Sequence, residues 1–456
     1  MRKFLRYFLL MIFIGGLNFS CDFKIGMKEK IEEEEKSIRF MTLDPGHFHA
    51  GLIHKNMYDA VDSKIYIYAP EGPELKDHLQ RVSGYNLRED NPTAWQISTS
   101  IGDDFLEKMI QQKPGNVMVT AGKNDQKIDY ILNSVSNGIH VFADKPLVIN
   151  QEGFQKLKKA FQIAEKNDLL LYDIMTERFE ITSVLQREFS RNEDIFGKIE
   201  KGSVEEPAIT KESVHHFFKY VSGKPLIRPD WFFDIEKEGD GLVDVTTHLV
   251  DLIQWELFPD QVLDTTDVSM IDAKLWPTTL SPEEYKKVTG LEALFSEENP
   301  LAVNCNGEMN YTLKGVHSKV SVVWDFEAPE GAGDTHYSKM RGSKANLIIK
   351  QGEEENYTPE LYIEFLSGQK EKAISFIERD LQVKFPGLSW ESVSEGEIRI
   401  VIPITYRLGH EAHFTQVTEN FINYFEEKSL PEWEVPNMLV KYFTTTAASA
   451  LAREKN

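Results

Sequence analysis

The chain has 456 residues, enough for two or three domains around a large core, and its 41% hydrophobic and 27% charged residues are ordinary for a globular protein. Its 73 acidic against 51 basic side chains give a formal charge of −22, a field that repels nucleic acid and anionic lipid and so argues against both as partners. Two cysteines, Cys21 and Cys305, are too few for a disulfide framework or a thiolate metal cluster.

The first segment reads as a targeting signal. Arg2, Lys3 and Arg6 make a basic start, Tyr7 to Leu17 is almost wholly apolar, and Leu17-Asn18-Phe19-Ser20-Cys21 follows. Residues 1–20 are therefore expected to be a signal peptide, its apolar run being short for a membrane span. Cys21 stands where a bacterial lipoprotein carries its lipid, which would place the protein in the periplasm or on the cell surface, held to the membrane by that anchor alone. Plain secretion or an uncleaved anchor are the alternatives. Residues 21–37, with Glu32 to Glu35 in a row, read as an acidic tether.

From Ile38 the chain alternates. Ile38 to Leu43 is a short apolar run entering the turn Asp44-Pro45-Gly46, and His49 to Tyr58 has helical spacing. Strands are expected at Lys64–Tyr68, Val117–Thr120, Ile139–Ala143 and Leu169–Tyr172, and helices at Asp104–Gln112, Lys127–Ser136 and Glu152–Asn167. Strands alternating with helices indicate a mostly parallel sheet covered on both faces, with ligands at the carboxyl ends of the strands. This first domain spans 38–172.

Beyond Asp173 the pattern changes to strands joined by turns, at Lys198–Val204, Leu263–Asp272, Asn304–Leu313, Ser318–Phe326, Ala345–Lys350 and Glu360–Phe365. A largely antiparallel second domain over 173–456 follows, interrupted by a helix-like run at Gly241–Phe258 and closed by helices at Ala412–Phe425 and Pro436–Arg453. Residues 273–303, with Pro277, Pro282 and Pro300, read as an insertion.

Three constellations could carry chemistry. Asp44-Pro45-Gly46-His47-Phe48-His49 lies between a strand and a helix, where a dinucleotide fold puts its phosphate turn. Gly46 can serve as the middle glycine, but Asp44 and His49 occupy the outer positions; an ordinary turn with a capping Asp is the alternative. Asp144-Lys145-Pro146 follows a strand, so Lys145 points into the ligand crevice, where its ammonium can stabilise a substrate oxygen. Taken alone, that tripeptide is more often a polar turn. In Gly239-Asp240-Gly241 to Asp251, Asp244 and His248 stand four apart and share a helix face, as a carboxylate and the general base it orients would. A satisfied buried histidine or one arm of a metal site would read the same way.

In order and context the three resemble the glucose–fructose oxidoreductase/inositol dehydrogenase family, known as Gfo/Idh/MocA, and within it an envelope lipoprotein subgroup of oxidoreductases. The resemblance covers Ile38 to Tyr172 well and continues through Arg178-Phe179, Phe196-Gly197-Lys198-Ile199, Gly239 to Asp251 and a closing helix from Met438 to Arg453. It implies an α/β chain with an N-terminal Rossmann doubly wound parallel sheet and a C-terminal α+β domain with an open, mainly antiparallel sheet. The family's Glu-Lys-Pro is Asp144-Lys145-Pro146 here. Its Asn with a His three residues later is Asn124, with Lys127 replacing the His.

The resemblance implies a cofactor site at Gly46, His47, Phe48, His49, Ala121, Asn124 and Lys145, with Glu71 on the ribose; such an acid favours NAD over NADP. It makes Lys145, His248 and Asp244 catalytic. Arg228, Trp231 and His336 are candidate substrate-side residues. The reaction implied is NAD(P)-dependent oxidation or reduction of a secondary hydroxyl on a sugar or glycoside, in a homo-oligomer. Free NAD is not expected outside the cytoplasm, so export favours a tightly held, recycled cofactor and brings in a redox-assisted glycoside hydrolase as the alternative. A non-catalytic sugar-binding protein is the alternative of another class. The close pairs His47/His49, His215/His216 and His410/His413 leave a metal hydrolase as a further option, but surface or loop histidines explain them more simply, and no metal is expected.

Overall fold

A computed structural model describes residues 36–221, 224–329 and 332–455. The expected signal peptide, Cys21 and most of the tether lie outside the described residues. Among the described residues no helix is long and apolar enough to cross a membrane.

The first layer is a six-stranded sheet. Its strands are β1 (Phe40–Leu43), β2 (Lys64–Ala69), β3 (Gln96–Ile101), β4 (Val117–Thr120), β5 (His140–Asp144) and β6 (Leu171–Ile174), all parallel, in the order β3-β2-β1-β4-β5-β6. Helices α1 (His49–Leu52), α2 (Pro73–Leu87), α3 (Phe105–Gln112), α4 (Asn124–Ser136) and α5 (Gln151–Lys166) connect them. The central strands β1 and β4 are buried along their whole length because both faces are covered, and their apolar runs are what such strands require. The order reverses between β1 and β4, so the crevice lies above their carboxyl ends. Two elements escape the sequence reading here: helix α2, and β3, a polar edge strand whose Gln-Ile-Ser-Thr-Ser-Ile has no fully buried position. The helix expected over His49–Tyr58 is one α-turn followed by a 3₁₀ turn at Ile53–Lys55.

The second layer is a nine-stranded sheet. After α6 (Ile181–Ser190) come β7 (Ile209–Phe218), the short hairpin β8 (Tyr220–Val221) and β9 (Lys224–Pro225), α7 (Thr246–Leu257), β10 (Val268–Leu280), α8 (Pro282–Thr289), β11 (Leu301–Leu313) and β12 (Val316–Glu327). The remainder is β13 (Thr335–Arg341), β14 (Ala345–Lys350), β15 (Glu360–Phe365), α9 (Lys370–Ser375), α10 (Gln382–Lys384), β16 (Ser389–Ser394), β17 (Glu397–Val401), α11 (His410–Glu427) and α12 (Glu434–Lys455). The order is β10-β11-β12-β7-β13-β14-β15-β17-β16, antiparallel throughout except where β12 meets β7. Alternate residues of β12 are buried, as a sheet with one packed face demands. The strand expected at Lys198–Val204 is two isolated bridges instead, and the real strand is β7, whose buried Lys211 disguises the apolar alternation. The expected insertion at 273–303 is the end of β10, helix α8 and the start of β11, so it extends the sheet.

Helix α11 completes the first layer, and α12 packs between the two, its Val440, Ala448 and Ala452 joining the core of the nine-stranded sheet. Phe414, Val417 and Phe421 of α11, with Met438 and Tyr442 of α12, join the core of the parallel sheet. A buried ionic chain fixes this junction. Arg178 forks onto Asp251 of α7 at 2.6 and 2.7 Å and reaches Glu434 of α12 at 2.7 Å. Lys441 of α12 bridges Asp251 at 2.8 Å and Asp173 of β6 at 2.7 Å, and Tyr442 donates to Asp173 at 2.7 Å. The chain therefore ties β6, α7 and α12 together and sets where α7, the carrier of His248, stands over the crevice.

Candidate active site

A cavity of about 840 Å³ opens between the carboxyl edge of the parallel sheet and the nine-stranded sheet. Its floor is the β1 turn, the end of β5 and the first turn of α7; its roof comes from β7, β13 and the start of α11. Lys145, Asp244 and His248, far apart in sequence, all line it. The Lys145 Nζ donates to Asp244 Oδ1 at 2.6 Å, with both side chains about nine-tenths buried. Burial works to lower the Lys145 pKa, but the Asp244 and Asp144 carboxylates outweigh it and hold the ammonium charged. His248 stands one turn along from Asp244, and burial, aided by the Lys145 charge, keeps its ring neutral. Its Nδ1 is buried without a hydrogen-bond partner.

The local backbone explains the motif around these groups. Gly239 has φ +103°, which a side chain would strain, and a Cβ on Gly241 would stand 2.3 Å from the Cys305 carbonyl oxygen. Gly239 to Val245 is therefore a tight turn, and the helix expected from Gly241 starts only at Thr246.

Asn124 also lines the cavity and is held rigidly. Its Nδ2 donates to the backbone oxygen of Glu238 at 2.7 Å and to that residue's Oε2 at 3.1 Å. Its Oδ1 accepts from Lys127 Nζ at 2.5 Å, and the same ammonium reaches the carbonyls of Asp144 and Pro146 at 3.0 and 3.1 Å. Lys127 is thus a fully buried strut under the Asp144-Lys145-Pro146 loop. Glu238, which no motif in the sequence marks, is pushed well above the ordinary carboxylate range by burial and by Asp244. Glu177, likewise unforeseen, lines the cavity and is raised to about 7 by burial and by Glu180.

The expected substrate-side residues divide. Arg228 and His336 line the cavity. Arg228 is spent on structure: it donates to the carbonyls of Phe217 and His216 at 2.8 and 3.0 Å and stacks over Phe232 and Trp324. His336 keeps a buried, unpartnered Nε2, and burial drives its pKa down to about 3. Trp231 is elsewhere. Its ring lies on the β1 turn, so that a Cβ on Gly46 would be 3.2 Å from Trp231 Cζ2, and its Nε1 donates to Glu74 at 3.1 Å.

That position decides what the expected phosphate turn can hold. The groove lined by Asp44, Gly46, Ala69, Gly72, Lys123 and Trp231 retains about 20 Å³, the room of a water molecule. The turn's amides are partly consumed: Gly46 N donates to Asp44 O at 2.8 Å and His47 N to Ala121 O at 2.9 Å. The first amides of α4, Asn124 N and Asp125 N, both donate to Lys237 O. Glu71 is exposed and lines neither this groove nor the cavity. His47, Phe48 and His49 instead face the cavity. A dinucleotide thus fits at its nicotinamide end, beside Gly122, Asn124 and Lys145, and fits at its adenosine end only with Trp231 displaced from Gly46.

A parallel sheet in the order 3-2-1-4-5-6 joined to an open, mainly antiparallel sheet defines an α/β chain with a Rossmann-like first layer. The chain belongs to the family described as "Putative oxidoreductase C terminal domain", whose model matches residues 185–453, more than half of it. The crystal structure of a "putative oxidoreductase" from Parabacteroides merdae ATCC 43184 is similar at 50% identity and TM-score 0.90, over 92% of this chain and 98% of that one. Two more distant likenesses show the shared fold. A levoglucosan dehydrogenase in complex with NADH and levoglucosan is 14% identical, with TM-score 0.60 over 92% of this chain and 98% of that one. KijD10, a 3-ketoreductase from Actinomadura kijaniata in complex with NADP, is 12% identical, with TM-score 0.56 over 91% and 97%. No curated protein matches.

Proposed function

We propose that this protein is a nicotinamide-dependent oxidoreductase acting on a secondary hydroxyl of a sugar or glycoside bound in the 840 Å³ cavity. The observation that carries this reading is the meeting of Lys145, Asp244 and His248 on one wall, with Asn124 beside them. The sugar ligands and nicotinamide cofactors of the distant likenesses support the choice of chemistry. Gly122, Asn124 and Lys145 would hold the nicotinamide end of the cofactor, which when bound supplies the hydride acceptor or donor.

The chain's own residues handle the proton. The Lys145 ammonium, aimed by Asp244, donates to the substrate oxygen and lowers the pKa of its hydroxyl. The neutral His248 ring accepts the proton as it leaves, and the Asp251 carboxylate favours the charge that the ring gains. A base held this low in pKa works only on an oxygen already polarised, which is the part Lys145 plays.

Glu177 favours a second reading. A carboxylic acid with a pKa of about 7 can protonate a departing glycosidic oxygen, as a redox-assisted glycoside hydrolase with a recycled cofactor needs. Lipidation at Cys21 with export, and association of copies through the outer face of the nine-stranded sheet, belong to the same reading of the chain but do not enter its chemistry.

The test is turnover of a panel of sugars and glycosides by the wild type, Lys145→Met and His248→Asn, with NAD and with NADP. Both variants should lose activity while staying folded; His248→Asn should keep the wild-type NADH affinity, and Lys145→Met, which leaves Asp244 without its partner, should melt lower than wild type. Full activity in both would remove the assignment. Cleavage without net NADH, with solvent deuterium entering beside the oxidised carbon, would select the hydrolase.

A further inference from the structure

His47, His49 and Asp144 meet in the cavity wall, and no step above uses their side chains. His49 Nδ1 lies 2.8 Å from Asp144 Oδ2, and His47 Nδ1 lies 3.8 Å from the same oxygen. The two rings stand edge to face with centroids 4.0 Å apart. One donor atom from each of the three residues lies within 4.8 Å of the others. We propose that these residues bind one divalent transition-metal ion of the zinc class, in a site open to the cavity.

A hydrogen bond between His49 and Asp144 accounts for only part of this arrangement. It leaves His47 Nδ1 buried, aimed at an oxygen 3.8 Å away and without a partner. A buried polar atom left unpaired is unfavourable by roughly 1–3 kcal/mol. A cation between the three donors would satisfy all of them at once. The donor set of two imidazoles and one carboxylate suits zinc and its neighbours in the first transition row.

The frame is fixed before any ion arrives. Asp144 is the last residue of β5, and its carbonyl accepts from the buried Lys127. His49 opens α1, and the His47 amide is pinned to the Ala121 carbonyl. The nearby Lys145 charge is matched by Asp244 at 2.6 Å. On the open side, His47 retains 20% of its side-chain exposure, towards a cavity able to admit further oxygen ligands. Three protein ligands with an open position is the pattern of metal sites that bind substrate.

A second His–His–Asp group in the same cavity supplies the contrast. Asp334 accepts from His215 at 3.1 Å and His216 at 3.2 Å, but Lys219 Nζ already sits 2.5 Å from its Oδ2. An ammonium there takes the place a metal would need. The His47 group has no such resident cation among the described residues.

The experiment is Zn²⁺ titration of the full chain, stripped with EDTA, by calorimetry, with Co²⁺ substitution read by its visible d–d absorption. The expected result is one equivalent per chain, a raised melting temperature, and Co²⁺ bands typical of nitrogen and oxygen ligands. His47→Gln and Asp144→Asn should each weaken uptake by about a hundredfold or more, the upper end of what loss of a mere outer-shell partner costs, while His215→Gln should leave it unchanged. His49→Gln provides a third independent variant should Asp144→Asn fail to fold. Absence of stoichiometric uptake by the wild type overturns the proposal, as does uptake that persists unchanged in His47→Gln and His49→Gln. The measurement needs neither sugar nor dinucleotide, so it stands or fails separately from the hydride reaction.

Discussion

Asp251→Asn is the sharpest test of how the two layers are held together. Asp251 receives two bonds from Arg178 and one from Lys441, with side-chain exposures of 2%, 10% and 0% for the three groups. The amide keeps the shape but strands two buried cations opposite one fewer anion. Breaking one member of a buried ionic group lowers stability by about 3–5 kcal/mol. At this chain length each kcal/mol shifts the melting temperature by roughly 1 °C, so a fall of about 3–5 °C is expected. The pH dependence gives a second check. Burial alone would raise the Asp251 pKa, but Arg178 and Lys441 hold it far below the ordinary carboxylate range. Its contribution is complete above the unfolded value of about 4 and is lost as the pH falls towards the folded value. The gap in melting temperature between wild type and variant should therefore narrow from about pH 5 downwards. Thermal unfolding followed by circular dichroism between neutral and acid pH measures both effects. A neutral-pH change under about 1 kcal/mol, or a gap that stays constant on acidification, would refute the assignment of Asp251 as the hub.

Two further outcomes follow from the same physics. Lys211 and Glu256 form a fully buried pair at 2.8 Å, and burial pushes the lysine pKa down and the glutamate pKa up, each towards its neutral form. Lys211→Met should lower stability by about 3–5 kcal/mol and Lys211→Met/Glu256→Leu should recover most of it, read by denaturant unfolding; additive losses would contradict the pairing. Trp231→Ala should open the groove over Gly46 and tighten NADH binding by about tenfold or more, since wild type must first lift a buried indole. Calorimetric titration of NADH checks it, and weaker binding in the variant would show that the indole holds the cofactor instead of excluding it.

Much of the first layer was legible because local pattern and burial agree there. Val117-Met118-Val119-Thr120 is a strand buried on both faces and reads as one from its apolar run alone. Lys145 follows a strand and so reaches the crevice, whereas Asp244 joins His248 in the cavity from the turn before α7 and not from the helix face that their spacing predicts. Where a residue's role comes from its neighbours in space, the pattern failed. The polar β3 is a strand only because β2 pairs with it. β7 carries Lys211 inside the core because Glu256 of α7 waits there. Glu238 and Glu177 are acids of unusual pKa only because a cavity closes around them.

The same division holds at the site. Sequence alone determined the alternation of strand and helix and the glycine turn before α7, because each depends on backbone geometry within a few residues; that Lys145 meets Asp244, 99 residues on, is tertiary. Tertiary structure decided that Trp231 covers Gly46 and that His47 and His49, in a turn expected to cradle phosphate, bring their rings to Asp144. Those contacts span 185 and about 95 residues of chain, as the numbering of the partners gives. At such separations no local preference selects a partner; the packing of the two layers does.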